Sequence, residues 1–183
     1  MVSPDRIKHF VIIRFFSWQD PNYPHDVLDV DFLSKQLVFV KNNAFKTLEN
    51  QTNKNFELVF IVNPKLFEDA KYEFIFSTLQ EAKTLQIRIV KTNEGCSQER
   101  NLQSDELSQL IKKAYDEYDF VIQSQTDFDD FVYKGIIADT QSKVEECDSI
   151  LGYGYGNGYI YVQGEIYPFV RDYAQADCVS DFV

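Results

Sequence analysis

The sequence predicts an α/β fold in which a mostly parallel sheet is flanked by helices and followed by a C-terminal β-hairpin. Three observations point there. Segments rich in β-branched and aromatic residues recur with amphipathic helical segments between them, which is the pattern of βαβ units. The first of those segments, HFVIIRFFS, is almost continuously apolar, as a buried strand is. From residue 150 onward the pattern changes to alternating Gly, Tyr and aliphatic residues.

The first strand is HFVIIRFFS (9–17), followed by a polar, proline-containing break, WQDPNYPHDVLDVD. From 32 to 50, Phe32 or Leu33, then Leu37, Val40, Ala44 and Leu48, recur at spacings of three and four, the stripe of an amphipathic helix. FELVFIVN (56–63) is a second strand, stopped by Asn63-Pro64, and 65–83 a second helix. LQIRIVKT (85–92) is a third strand. A third helix over 104–118 has Ser104 as its N-cap and Leu107, Leu110, Ile111 and Ala114 on one face. FVIQSQT (120–126) is a fourth strand and 131–146 a fourth helix. ILGYGYGNGYIYVQGEIYPFV (150–170) reads as a hairpin turning at Gln163-Gly164.

The bulk composition narrows the function classes. The 183 residues, 44% hydrophobic and 15% aromatic, suit one packed domain over 1–183. A net charge of −11 speaks against nucleic acid or an anionic lipid surface as the main partner. Cys96, Cys147 and Cys178 are scattered and odd in number, and with only His9 and His25 beside them they do not suggest structural zinc. Free thiols, no apolar leader in MVSPDRIKH and no long apolar run lead to the expectation of a cytoplasmic chain without a transmembrane segment.

The chemistry-bearing stretch is VIQSQTDFDDFVYKG (121–135), where Asp127, Asp129 and Asp130 crowd together after the fourth strand. In doubly wound, Rossmann-like sheets ligands bind at the carboxyl ends of the strands, and this cluster falls on that edge. In an extended backbone Asp127 and Asp129 face one way and Asp130 points away or back. Mg²⁺ or Mn²⁺ takes one or two such carboxylates and completes its shell with phosphate oxygens. The competing reading makes Asp129 or Asp130 the N-cap of the helix beginning near Phe131. Arg100, in the polar loop 92–101, is a rare cation on the same edge, able to pair with a diphosphate or an aspartate. Arg14 lies within an apolar strand. It either emerges at the strand's end on the ligand edge or pairs with a buried acid. GYGYGNG neither follows the first strand nor opens a helix, so it is not a nucleotide-binding glycine loop. Tyr153 and Tyr155 within it and Tyr159 directly after it are candidates to stack on a sugar or base.

In this order the motifs resemble a family. LENQTNKNFELVFIVN is similar to the second-strand region of the GT-A family-2 glycosyltransferases, NEGCSQERN resembles their loop ending in Arg-Asn, and QTDFDD resembles their Asp-x-Asp-Asp. HFVIIRFFS with TDFDD resembles most closely the rhamnosyltransferase subgroup of bacterial GT-A proteins. The resemblance covers roughly residues 9 to 170. It implies a GT-A sheet and transfer of a sugar, rhamnose in that subgroup, from a nucleotide-diphosphate donor to a glycan or lipid-linked acceptor, in bacterial polysaccharide biosynthesis. It further implies Mn²⁺ or Mg²⁺ held by Asp127 and Asp129, with Asp127 also near the ribose or sugar. Arg14 would form the floor of the nucleotide pocket, Arg100 would steady the nucleotide, and Asp130 would support the site or face the sugar. Asn63 stands where the family has an Asp that holds the base. The catalytic base of the family follows the hairpin. Glu165, Asp172 and Asp177 are the candidates here, on a chain that reads as short on its acceptor side. A domain that binds nucleotide sugars or glycans without a catalytic base is the alternative.

Overall fold

A computed structural model describes residues 3–15, 28–93 and 104–146, together with the backbone of the strand residues 157–162 and 165–170. Four parallel strands, β1 (Ile7–Phe15), β2 (Glu57–Val62), β3 (Ile87–Lys91) and β4 (Phe120–Asp127), form one sheet in the order β3-β2-β1-β4. This is the predicted α/β arrangement, compatible with a Rossmann-like fold. Asn157–Val162 and Glu165–Val170, β5 and β6, pair antiparallel with Asn157 opposite Val170.

The central strands are apolar on both faces because both faces are covered. Val11, Ile13 and Phe15 of β1 and Leu58, Phe60 and Val62 of β2 pack against Leu33 and Leu37 of α1 (Val30–Phe39) and Ile75 and Leu79 of α3 (Glu73–Leu79). Ile137 of α5 (Ile136–Ser142) joins that cluster. The alternate residues, Phe10 and Ile12 with Val59 and Ile61, meet Leu107 and Ala114 of α4 (Asp105–Glu117). The strand order explains the division. The chain steps from β1 to β2 to β3 in one direction and then crosses back to β4, so connections of one handedness fall on opposite faces.

Several boundaries differ from the expectation. β1 runs from Ile7 to Phe15, beginning two residues earlier than expected, with Arg14 inside it as the apolar run placed it. The first helix continues past α1 as a π segment, Val40–Phe45, and a last α turn, α2 (Lys46–Glu49). The region 65–83 divides into 3₁₀ turns Pro64–Phe67 and Ala70–Tyr72 and the short α3. Asn63 and Asp69 cap the two turns by accepting from the Lys65 and Lys71 backbone N–H groups, and such side chains compete with a continuous helix. Ser104 caps α4 as expected, accepting from Leu107 N at 3.1 Å.

The fourth helix starts at Ile136, not near Phe131, and Gly135 is its N-cap residue, with no side-chain cap bond. Neither Asp129 nor Asp130 caps a helix, which overturns that reading. The physical reason lies in residues 131–135. The Tyr133 and Lys134 carbonyls accept from Gln51 Nε2 and Thr52 N, both at 2.9 Å, so tertiary bonds hold this backbone outside a helix.

Candidate functional site

β1 and β4 are neighbours at the point where the strand order reverses, and their carboxyl ends frame the crevice where open α/β sheets bind ligands. The parallel register sets Arg14 beside Asp127 and Ile12 beside Gln125. With a period of two, Arg14, Gln125 and Asp127 therefore share one face of the sheet. Arg14 Nη2 donates to Asp127 Oδ1 at 3.0 Å. With its amide oriented oxygen inward, Gln125 accepts from Arg14 Nε at 3.0 Å and Nη2 at 3.3 Å. The side chains of Arg14 and Asp127 are 32% and 51% exposed, so the pair is open to solvent and to a ligand. Arg14 thus resolves as a cation on the ligand edge that is also paired, though with a half-exposed acid rather than a buried one.

Beyond β4 the chain makes a tight turn. Asp130 N donates to Asp127 O at 3.3 Å, and the Asp130 carboxylate turns back to accept from Asp127 N at 3.1 Å and Thr126 Oγ1 at 3.4 Å. Asp130 therefore occupies the strand terminus as a backbone acceptor. Phe128 anchors the turn edge-on against Phe15, with ring centroids 5.5 Å apart. Asp129 remains at the tip. Burial pushes its carboxyl above the usual range, and the charges of Asp130 and Asp127 add to the rise against a hydrogen bond from its own backbone N–H. A cation beside Asp129 would relieve that like-charge repulsion. No group of three or more His, Cys, Asp and Glu converges as a complete cage among the described residues. A hard cation such as Mg²⁺ or Mn²⁺ needs only one or two protein carboxylates when phosphate supplies the rest of its shell, and Asp127 and Asp129 are the residues here that could supply them.

Two features missed in the sequence hold this turn and the stretch that follows it. Asn43, in the π segment, donates from Nδ2 to Asp129 O at 2.9 Å. Gln51, 3% exposed, donates to Thr47 O and Tyr133 O and accepts from Ile137 N. The Gln-Thr pair was the available signal for the second of these. No sequence signal marked Asn43.

The other candidates are spread along the same edge or fall outside the described residues. Asn63 ends β2, its Oδ1 held by Lys65 N at 3.0 Å. The next residue, Pro64, lines a cleft of about 390 Å³ between the Pro64–Phe67 turn and the start of α4, together with Phe67, Lys91, Asn93 and Asp105 among others, while Asn63 itself is not part of the lining. Lys91 Nζ sits 4.5 Å from the Phe67 ring centroid, and Asn93 and Asp105 exchange two hydrogen bonds of 3.0 Å. Arg100, Asp172, Asp177, the tyrosines Tyr153 and Tyr155, and the side chains of Tyr159 and Glu165 lie outside the described residues. His9, expected to have no role in a nucleophile pair, lies 2.8 Å from Ser124 Oγ through Nε2. His9 itself is 1% exposed, and Ser124 is half-buried. No helix among the described residues is long and apolar enough to cross a membrane.

A scan against protein-family models finds no match for this chain, and a search of curated proteins finds no significant relative.

Proposed function

We propose that the chain is the nucleotide-sugar-binding domain of a GT-A-like glycosyltransferase, transferring a sugar from a nucleotide diphosphate to a glycan or lipid-linked acceptor. One observation carries the reading: an exposed Arg14–Asp127 pair spans the crevice where the strand order reverses, with Asp129 at the tip of the adjoining turn. A diphosphate entering there offers the Arg14 guanidinium a second anion, which frees Asp127 to face a sugar hydroxyl or a cation. Mn²⁺ or Mg²⁺ held by Asp129 and Asp127 would neutralise the departing diphosphate. Asn63 and the cleft beside it lie along the same edge, where a base would extend.

A second reading has its own support. The Asp130 carboxylate is engaged with Asp127 N and Thr126 Oγ1, so it acts as a brace rather than as a base for the acceptor hydroxyl. The base candidates that remain are Glu165, Asp172 and Asp177, whose side chains lie outside the described residues. Without a base the domain would bind nucleotide sugars or glycans and transfer nothing.

Calorimetry of UDP, dTDP and GDP, with and without Mn²⁺, tests the site. Binding of one nucleotide that needs metal and weakens at least about tenfold in Asp129→Ala is the expected result. Absence of binding to all three with metal present would overturn the proposal. Donor turnover measured on the same protein then separates an enzyme from a binding domain.

A further inference from the structure

The helical unit after β1 is not α throughout. The α-helical hydrogen bonding of Val30–Phe39 gives way to a π segment, Val40–Phe45, and resumes over Lys46–Glu49. A π turn holds an extra residue, rotates everything beyond it relative to an ideal helix, and survives where the displaced side chains make contacts worth keeping. Asn42 and Asn43, weak helix formers, sit in the middle of this segment.

The displaced contact crosses the fold. Asn43 Nδ2 reaches Asp129 O at 2.9 Å, 86 residues away in sequence. The acidic turn is also anchored by Phe128 against Phe15. Its internal closure is one long bond, Asp130 N to Asp127 O at 3.3 Å, together with the returning Asp130 carboxylate. Past α2 the same unit takes hold of the next stretch, where Gln51 binds Tyr133 O and Ile137 N and Thr52 N binds Lys134 O. Gln51 and Thr52 therefore fix residues 133–137, and Asn43 fixes the tip. Tied at its carbonyl oxygen, the Asp129–Asp130 peptide plane is held in place, which restrains the backbone torsions on either side of it and so the point from which the Asp129 side chain leaves the turn.

We infer that Asn43, delivered to the acidic turn by the π segment, is a positioning residue that orients the Asp129 carboxylate. The metal readout of this inference rests on the cation-binding reading of that turn, and the orientation itself does not. Removing such a supporting hydrogen bond typically weakens metal affinity by about 10-fold to 100-fold.

The test compares wild type, Asn43→Ala and Asn43→Gln for Mn²⁺ affinity, thermal midpoint and backbone NMR of residues 128–130. The expected result for Asn43→Ala is Mn²⁺ binding about tenfold weaker, shifted and broadened resonances at 128–130, and a thermal transition that stays cooperative. Asn43→Gln keeps the amide donor on a longer arm and is expected to recover most of the affinity, which a merely structural defect would not allow. If Asn43→Ala leaves the 128–130 resonances as in wild type, the inference is wrong. It is also wrong if Asn43→Gln binds Mn²⁺ no better than Asn43→Ala. If wild type fails to bind Mn²⁺, the cation reading falls, and the resonances at 128–130 still decide whether Asn43 orients the turn.

Discussion

Acidification of the buried His9 network offers a prediction whose size follows from the geometry. His9 Nε2 lies 2.8 Å from Ser124 Oγ, and Gln141 Nε2 lies 3.3 Å from His9 Nδ1. Gln141 cannot turn its amide around, because the same Nε2 donates to Asn55 O at 2.7 Å while its Oε1 accepts from Asn53 Nδ2 at 2.8 Å. Nδ1 is therefore an acceptor, Nε2 carries the proton, and a second proton would face a donor. Burial drives the imidazole from its ordinary value of 6.5 down to about 4. The folded state thus resists a proton that the unfolded chain accepts, so stability is complete above pH 6.5 and falls as the pH drops towards 4. The linkage expression gives a loss of about 2 kcal/mol at pH 5 and about 3 kcal/mol once both states are protonated. Glu57 does not interfere at pH 5. Burial pushes its carboxyl up, but hydrogen bonds from Lys8 and Arg88 outweigh that and hold it below its ordinary 4.5, so its contribution is lost only at lower pH. Urea titrations from pH 7.5 to pH 5, on wild type and His9→Gln, make the measurement. The wild type should lose about 2 kcal/mol more than the variant across that range. Parallel losses in the two proteins would refute the assignment of a neutral, proton-resistant His9.

Two further outcomes follow from charged groups. Glu57 is 2% exposed and joins Lys8 at 2.6 Å to Arg88 at 2.5 Å. Glu57→Ala strands the largely covered Lys8 ammonium, and chemical denaturation should show a loss of about 3 kcal/mol. Arg14→Met should behave in the opposite manner: an exposed pair contributes at most about 1 kcal/mol, so the melting curve should barely move while nucleotide binding is lost. A large fall in stability with binding retained would make Arg14 a structural residue.

The sheet was legible because its signals are local and redundant. Leu58 to Val62 are buried on both faces, and an apolar run of that length states its own environment. Ser104 was legible for the same reason, since a cap acts within three residues. The errors fell where distant partners decide local geometry. Residues 131–135 carry a pattern that continues into a helix, but Gln51 and Thr52 hold their carbonyls from more than 80 residues away. The π segment left no mark on an apolar stripe that Val40, Ala44 and Leu48 keep intact. Within the site, the order of motifs located the acidic cluster on the correct edge. It did not separate three adjacent aspartates into a partner for Arg14, a tip and a brace, because that division depends on a turn and on a register with a strand 113 residues earlier.

That sequence separation bears on when the site comes into being. Arg14 and Asp127 meet only after the chain has built β2, β3 and α4 and returned to lay β4 along the first strand. Closing so long a loop is slow and entropically costly until the native pairing compensates. No fragment ending before β4 can hold the pair, so a nascent chain is blind to any ligand of this crevice until the last strand of the sheet is docked. A ligand bridging Arg14 and the acidic turn would in turn act as a clasp on the β1–β4 seam, adding stability in proportion to its occupancy.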